Sequence, residues 1–120
     1  MRSQRIADGA LPLDPGQLRD FIIIERKTIS GQNAYGEDVI VWGEVARLWC
    51  HVKAMVGREL EAMRTIHAEA RFKIRSWFPA ITIQREDRAR WGARTLDILD
   101  AEDPDGVGRE LVIYAREFVD

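Results

Sequence analysis

The sequence has little of what metal sites and disulfide-stapled domains require. Its 120 residues include one cysteine, Cys50, and two histidines, His51 and His67. A single thiol cannot form an internal disulfide, so no oxidising compartment is required. Cys50 and His51 are neighbours on a predicted strand, where successive side chains point to opposite faces and cannot easily share one metal ion. We interpret all three residues as structural and predict no metal site.

Recognisable catalytic and cofactor motifs are also missing. Gly106-Val107-Gly108 lacks the third glycine of a dinucleotide fingerprint, and no phosphate-loop lysine motif occurs. The acidic residues around Asp103 do not form a calcium loop, because a count from Asp100 places Asp105 where a glycine is needed and Leu111 where a glutamate is needed. No serine or threonine lies in a nucleophile motif, although a triad assembled from distant loops stays an alternative. The sequence favours a non-enzyme without cofactors.

Neither charge dominates, and long apolar runs are absent. There are 18 basic and 20 acidic residues, with a net charge of −2. Proteins that grip a nucleic-acid backbone usually carry a basic excess, because affinity grows with the number of phosphates neutralised. If DNA passes near this chain, its composition fits a channel through which DNA slides better than a protein that holds DNA.

No apolar run approaches the roughly 18 residues of a membrane span or resembles a signal peptide, so we expect a soluble chain without an export signal.

The first 18 residues differ from the rest in having no sustained pattern. Gly9, Pro12, Pro15 and Gly16 interrupt them, which is typical of an extended arm. The arm's apolar residues either fold back on the domain or dock on a neighbouring subunit. These residues are Ile6, Leu11, Leu13 and Leu18. The prediction is an arm over residues 1–18 and a single β-barrel domain over residues 19–120.

Strand patterns begin at Asp20 and dominate the domain. Phe21–Ile24 is a short apolar run, and the loop-forming residues of 28–38 predict the turn of a first hairpin. Residues 39–42 and 45–52 carry apolar side chains at both odd and even positions. This pattern indicates a strand covered on both faces, by the core on one side and by a helix, arm or partner on the other.

The spacing of apolar residues changes to a helical period in one segment, after which strand patterns resume. Residues 57–70 predict a short amphipathic helix whose Leu60, Met63 and Ile66 face the barrel. The next strand alternates, with Phe72, Ile74, Ser76 and Phe78 on one face. Further strands are predicted at 80–84, 88–91, 95–100 and 109–117, separated by turns at Trp91-Gly92 and Asp103–Gly106. The fold class is mainly β, a small β-barrel or sandwich with one short helix.

An ordered series of short motifs runs through most of the chain and resembles the phage head-tail joining family. The motifs are Ile24-Glu25-Arg26, Ala34-Tyr35-Gly36-Glu37 with Trp42, Leu48-Trp49-Cys50-His51-Val52, Gly57-Arg58-Glu59-Leu60, Lys73-Ile74-Arg75, Thr95-Leu96-Asp97-Ile98, and Asp103-Pro104-Asp105-Gly106 leading to Arg109-Glu110-Leu111. The resemblance implies a small β-barrel with a short helix. It also implies copies that assemble as a ring of six or twelve beneath the portal of a tailed-phage capsid, continuing the channel for double-stranded DNA.

The resemblance further implies partners and a location. The portal or an adaptor protein would lie above the ring, and a tail terminator or other tail proteins below it. The protein would then reside in the virion, at the head-tail interface, after assembly in the host cytoplasm. Its action would be mechanical, since it would retain packaged DNA and dock the tail.

Charged and aromatic residues on the predicted outer faces are the candidates for a subunit or partner interface, because guanidinium groups hold carboxylates through paired hydrogen bonds. The alternative is a barrel that binds single-stranded nucleic acid through Arg71, Lys73, Arg75 and Trp77, where cations alternate with an aromatic ring. The full set of interface candidates is Arg58, Glu59, Arg71, Lys73, Arg75, Trp77, Arg85, Arg88, Arg90 and Arg94.

Overall fold

The computed structural model describes residue 13 and residues 15–118. Most of the predicted arm, including Ile6 and Leu11, lies outside the described residues, whereas Leu13 is buried. A 3-10 turn at Pro15–Gln17 precedes the first strand. The remaining elements are β1 (Asp20–Gln32), β2 (Asp38–Ala54), α1 (Gly57–Arg64), β3 (Phe72–Trp77), β4 (Arg88–Trp91), β5 (Arg94–Glu102) and β6 (Glu110–Glu117).

The six strands form a closed antiparallel barrel in the order β1-β2-β3-β6-β5-β4. Closure comes from β4, which pairs with β1 through Ile23 and Arg90, Ile24 and Ala89, and Glu25 and Arg88. Closing a sheet removes its unpaired edges, which would otherwise be open to other chains. The predicted mainly β fold with one short helix is confirmed, in its barrel form.

The core lies inside the barrel and follows the alternation of the strands. On β3, Phe72, Ile74 and Ser76 are buried as predicted, whereas Phe78 lies beyond the end of the strand and is exposed. The other strands contribute Ile22, Ile24, Leu48, Cys50, Leu96, Ile98 and Ile113 to the same cluster. Burial raises the pKa of the Cys50 thiol to about 12, so it stays a neutral, apolar filler of the core.

The β1–β2 hairpin is much longer than the sequence indicates. Residues 28–38 were predicted as a loop, but β1 continues to Gln32 and only residues 33–37 turn. Gly31, at φ 147°, is accommodated at a register shift between the strands, and the Asn33 side chain accepts hydrogen bonds from the backbone N–H groups of Tyr35 and Glu37. The loop prediction was wrong because β-branched residues paired across the hairpin outweigh one glycine.

Only the base of this hairpin belongs to the barrel wall. β4 pairs with β1 at residues 23–25, and β3 pairs with β2 at residues 50–54. Within the described part of the chain, residues 27–43 form a two-stranded ribbon without a third strand, here called the projecting hairpin. The Cα atoms accordingly extend over 62 × 30 × 26 Å.

The helix and one predicted strand also differ from expectation. α1 ends at Arg64 instead of reaching Ala70; Leu60 and Met63 are only half-buried, and Ile66 lies beyond the helix with 69% of its surface exposed. The Thr65 hydroxyl donates to the Ala62 carbonyl at the helix end, where such local bonds compete with continued helix.

Residues 80–84 do not form a strand. This segment is instead held by polar contacts, one local and one long-range. Asp87 accepts a hydrogen bond from the Gln84 N–H at 2.9 Å, and Arg26 donates to the Thr82 carbonyl at 2.8 Å. Ile83 alone is buried against the core. The predicted turns at Trp91-Gly92 and Asp103–Gly106 are both present, with Gly92 and Gly106 at positive φ.

Candidate interaction surface

The projecting hairpin carries apolar side chains that the chain itself does not cover. Ile29 and Ile40 are directly opposite each other in the hairpin register, with 64% and 52% of their surfaces exposed. Val39 and Val41 alternate with Ile40 and are exposed on the opposite face of the ribbon, and Tyr35 is exposed at the turn. We call the face that carries Ile29 and Ile40 the hairpin surface. The sequence predicted that both faces of β2 are covered, but within the described part of the chain residues 39–41 are exposed on both faces.

A second uncovered surface crosses the outer wall of the barrel. Phe21 pairs with Trp49 in the β1–β2 register, and their ring centroids are 5.0 Å apart. Cys50 pairs with Ser76, so continuing this antiparallel register by one position sets Trp49 beside Trp77. All three rings are exposed, Trp49 most of all at 61%. We call Phe21, Trp49 and Trp77 the aromatic stripe.

Sequence reasoning found Trp77 but missed the other two members of the stripe. The alternation of side chains along each strand could have identified them. Ile22, Cys50 and Ser76 are buried, so the residues next to them must point outward. Phe21 and Trp49 were missed because an aromatic residue within an apolar run does not reveal whether it faces the core or the outside.

The basic residues of β3 are held by carboxylates of the same chain. The Lys73 Nζ lies 3.0 Å from Glu59 Oε2, and the Arg75 Nε lies 2.7 Å from Glu110 Oε2. The side chains of Arg75 and Glu110 are only 17% and 11% exposed. A strand face neutralised in this way offers few free cations to phosphates, so the geometry weighs against the nucleic-acid alternative.

Glu59 connects the helix to the barrel wall. Besides Lys73 it contacts Lys53, whose Nζ lies 3.3 Å from Glu59 Oε1. Burial raises the pKa of Glu59, but the hydrogen bonds and positive charges of Lys73 and Lys53 together outweigh burial, so its pKa is below the ordinary value. Glu59 is therefore ionised at neutral pH and fixes α1 on β2 and β3.

The second predicted cluster, on β4 and β5, is also paired within the chain. Arg88 Nε lies 2.7 Å from Glu25 Oε1 and its guanidinium lies 4.1 Å from the centroid of the Trp42 ring. Arg90 makes a longer contact of 3.7 Å to the other oxygen of Glu25. Arg94 Nε donates to Glu117 at 3.0 Å. Because β3 and β4 are not neighbours in the closed sheet, the structure does not join the two clusters into one basic track.

The remaining candidates are more accessible. Arg58 is exposed on α1 and has no ion-pair partner among the described residues. Arg71 is exposed and donates to the Met55 carbonyl at 3.3 Å. Arg85 is exposed, with its Nε 4.0 Å from Asp100. The assignment of all ten residues to an interface stays a prediction, and Arg58, Arg71, Arg85 and Arg90 are best placed to reach another chain.

One open cleft of about 430 Å³ lies between the α1–β3 connection and strands β5 and β6. Its three carboxylates are all paired with arginines. Arg116 pairs with Glu69 and, at 3.2 Å, with Asp97, while Glu117 pairs with Arg94. Among the described residues there is no group of three or more histidine, cysteine or acidic side chains placed to hold a metal ion, and no helix long and apolar enough to cross a membrane. The cleft therefore presents a set of ion pairs without an unpaired nucleophile or base at its centre. Its lining is Arg64, Glu69, Arg71, Asp97, Arg116, Glu117 and Phe118.

Comparison with known proteins gives one family and two similar structures. The family model described as phage head completion protein matches residues 13–117. Protein SF1141 from Shigella flexneri 2a, solved in solution, is 24% identical with a TM-score of 0.65, over 90% of this chain and 99% of that one. A chain from the virion of a native gene transfer agent particle is 20% identical with a TM-score of 0.56, over 83% and 94%. At these identities the two structures show a common fold. No curated protein matches the chain.

Proposed function

Because this chain belongs to the family of phage head completion proteins, we propose that it acts as a head-tail connector that forms a ring beneath the portal. The chain is a structural protein of the phage head-tail region. In the proposal the ring continues the DNA channel, retains packaged DNA and offers a platform to the tail, without enzymatic activity. The portal or an adaptor lies on one side of the ring and tail proteins lie on the other.

The observation that carries the proposal is the uncovered projecting hairpin. A two-stranded hairpin is at best marginally stable alone in water, and exposed apolar edges invite association with other chains. Here the hairpin stands out from a closed barrel and presents Ile29, Ile40 and their neighbours to solvent. Such a surface fits a protein whose working state is an assembly, because neighbouring subunits would cover it.

The arrangement of charged residues fits a channel through which DNA moves better than a site that binds DNA tightly. The net charge is −2, and Lys73, Arg75 and Arg88 are each held by a carboxylate of the same chain. Fewer free cations mean fewer neutralised phosphates and weaker retention of a sliding duplex. The proposal therefore places DNA in the channel without sequence-specific contacts.

The proposal is tested in two settings. The purified chain is expected to be monomeric or weakly associated by light scattering, and to form a ring of defined mass when the cognate portal is added. In a particle-producing strain, deletion of the gene is expected to leave heads that lack tails and lose DNA, and the intact gene supplied in trans restores joined particles. A tight closed dimer with and without portal, or normal particles after deletion, would overturn the proposal.

A further inference from the structure

The two uncovered surfaces of the molecule are different and far apart. Ile40 of the hairpin surface and Trp49 of the aromatic stripe are nine positions apart on β2. At about 3.3 Å per residue, this separation is about 30 Å along the strand. The projecting hairpin of a chain therefore cannot reach that chain's own stripe. If the stripe is covered by a hairpin, the hairpin belongs to another copy.

We propose that the hairpin surface of one copy packs on the aromatic stripe of the next copy. The inference rests on the proposed ring and names its subunit contact. Two different patches on each chain make a head-to-tail interface, which can continue from copy to copy and close into a ring. Pairing of two hairpin surfaces would instead stop at a dimer and leave the stripe exposed.

The chemistry of the two surfaces is complementary. The stripe places flat rings on the rigid barrel wall, and tryptophan is enriched among the residues that dominate interface energies. The hairpin surface supplies the branched aliphatic side chains of Ile29 and Ile40, which form a cross-strand pair. Burial of these side chains against the rings removes apolar area from water on both partners.

Exposed charged residues of opposite sign lie beside the two surfaces. Asp38, next to the hairpin turn, is exposed and has no ion-pair partner within the described part of the chain. Near the stripe, Arg19 lies two residues before Phe21 and is exposed, and its Nε donates to the Gly16 carbonyl at 3.2 Å. Arg90 is half exposed and pairs with Ile23 in the register, on the outer face beside Phe21. Opposite charges around an apolar contact set its orientation and favour this pairing over contact between two like surfaces.

Cysteine cross-linking tests the contact directly. In Ile40→Cys/Trp49→Cys, the separation of about 30 Å prevents a bridge within one chain, because disulfide Cα atoms lie about 4–7 Å apart. The native Cys50 is a buried free thiol, so we expect it to take no part in the cross-links. With portal added and a mild oxidant, we expect a ladder of covalent multimers beyond the dimer on non-reducing gels. Each single variant is the matched control and should give no ladder. Ile40→Cys/Trp77→Cys repeats the test at a second stripe position.

The outcomes separate this inference from the proposed function. Rings that form on the portal without a ladder from either double variant would overturn the inference and leave the connector proposal standing. Efficient dimers from Ile40→Cys alone, or a ladder that stops at the dimer, would also overturn it. Failure of the wild-type chain to form any ring on the portal would overturn both.

Discussion

The barrel wall and the projecting hairpin are made from the same two strands but bury their residues differently. In the part of these strands that belongs to the barrel wall, Ile22, Ile24 and Leu48 are almost fully buried. Further along the same strands, Ile29 and Ile40 are mostly exposed although they have the same chemistry. The difference is whether a third strand and an opposite wall are present, since β3 and β4 pair only with the base of the hairpin.

This comparison shows that a β-branched run predicts a strand without predicting its cover. Both halves have the local propensity for extended structure, and cross-strand pairs stabilise both. Only the half within the closed barrel gains from core burial. The other half keeps its apolar side chains available for an interface. The same residue types can therefore serve either core burial within one chain or contact between chains.

The largest expected effect comes from a matched pair of substitutions on β1. Ile24→Ala removes a fully buried side chain and should lower the free energy of unfolding by about 2–5 kcal/mol. Ile29→Ala, in the projecting hairpin, should change it by no more than about 0.5 kcal/mol. Denaturant titration of both variants checks the comparison. Equal losses would mean that the hairpin is part of the core of the isolated chain.

Charge reversal at Arg75 should also mainly lower the stability of the barrel. Arg75→Glu places a second carboxylate against the buried Glu110 and should cost about 2–4 kcal/mol. Arg47→Glu, near the hairpin, reverses an exposed pair with Glu44 and serves as the matched control. Unfolding, portal-dependent assembly and salt-dependent oligonucleotide binding are measured on both. A stable Arg75→Glu monomer that has lost oligonucleotide binding would instead favour the nucleic-acid alternative.

Substitution of the helix should have an intermediate effect. Leu60 is half-buried on α1, so Leu60→Ala should cost about 1 kcal/mol, less than a fully buried leucine would. Ile66→Ala, at a largely exposed position beyond the helix, is the control and should leave the denaturant midpoint unchanged. A loss as large as that of Ile24→Ala would mean that α1 closes the core more tightly than the structure shows.

The smallest expected effect is a pH dependence from Glu59. Its folded-state pKa is below the ordinary 4.5, so its ionised form stabilises the fold above that pH, and the contribution is lost as pH falls through the lowered pKa. Because the pair is partly exposed, Glu59→Gln should cost only about 0.5 kcal/mol at pH 7. The difference from the wild type should shrink below pH 4.5. A difference that stays constant from neutral to acidic pH would contradict the role given to its ion pairs with Lys53 and Lys73.

Local patterns in the sequence were sufficient for the fold class and for several elements. The alternation of Phe72, Ile74 and Ser76 predicted the buried face of β3, and Asp103–Gly106 predicted a turn. These features depend on residues that are close in sequence, where side-chain period and turn geometry act directly. The order of the motifs likewise indicated the family that the match over residues 13–117 shows.

What only the tertiary structure decided are the partners of residues far apart in sequence. Arg26 meets Asp87 across 61 positions, and Arg75 meets Glu110 across 35. No local pattern contains such pairs, so the sequence could not show that Arg75, an interface candidate, pairs with a carboxylate of its own chain. The same reason applies to the aromatic stripe and to the hairpin surface. Their residues were visible in the sequence as strand formers, but barrel closure alone determined which of them the chain covers and which it leaves exposed.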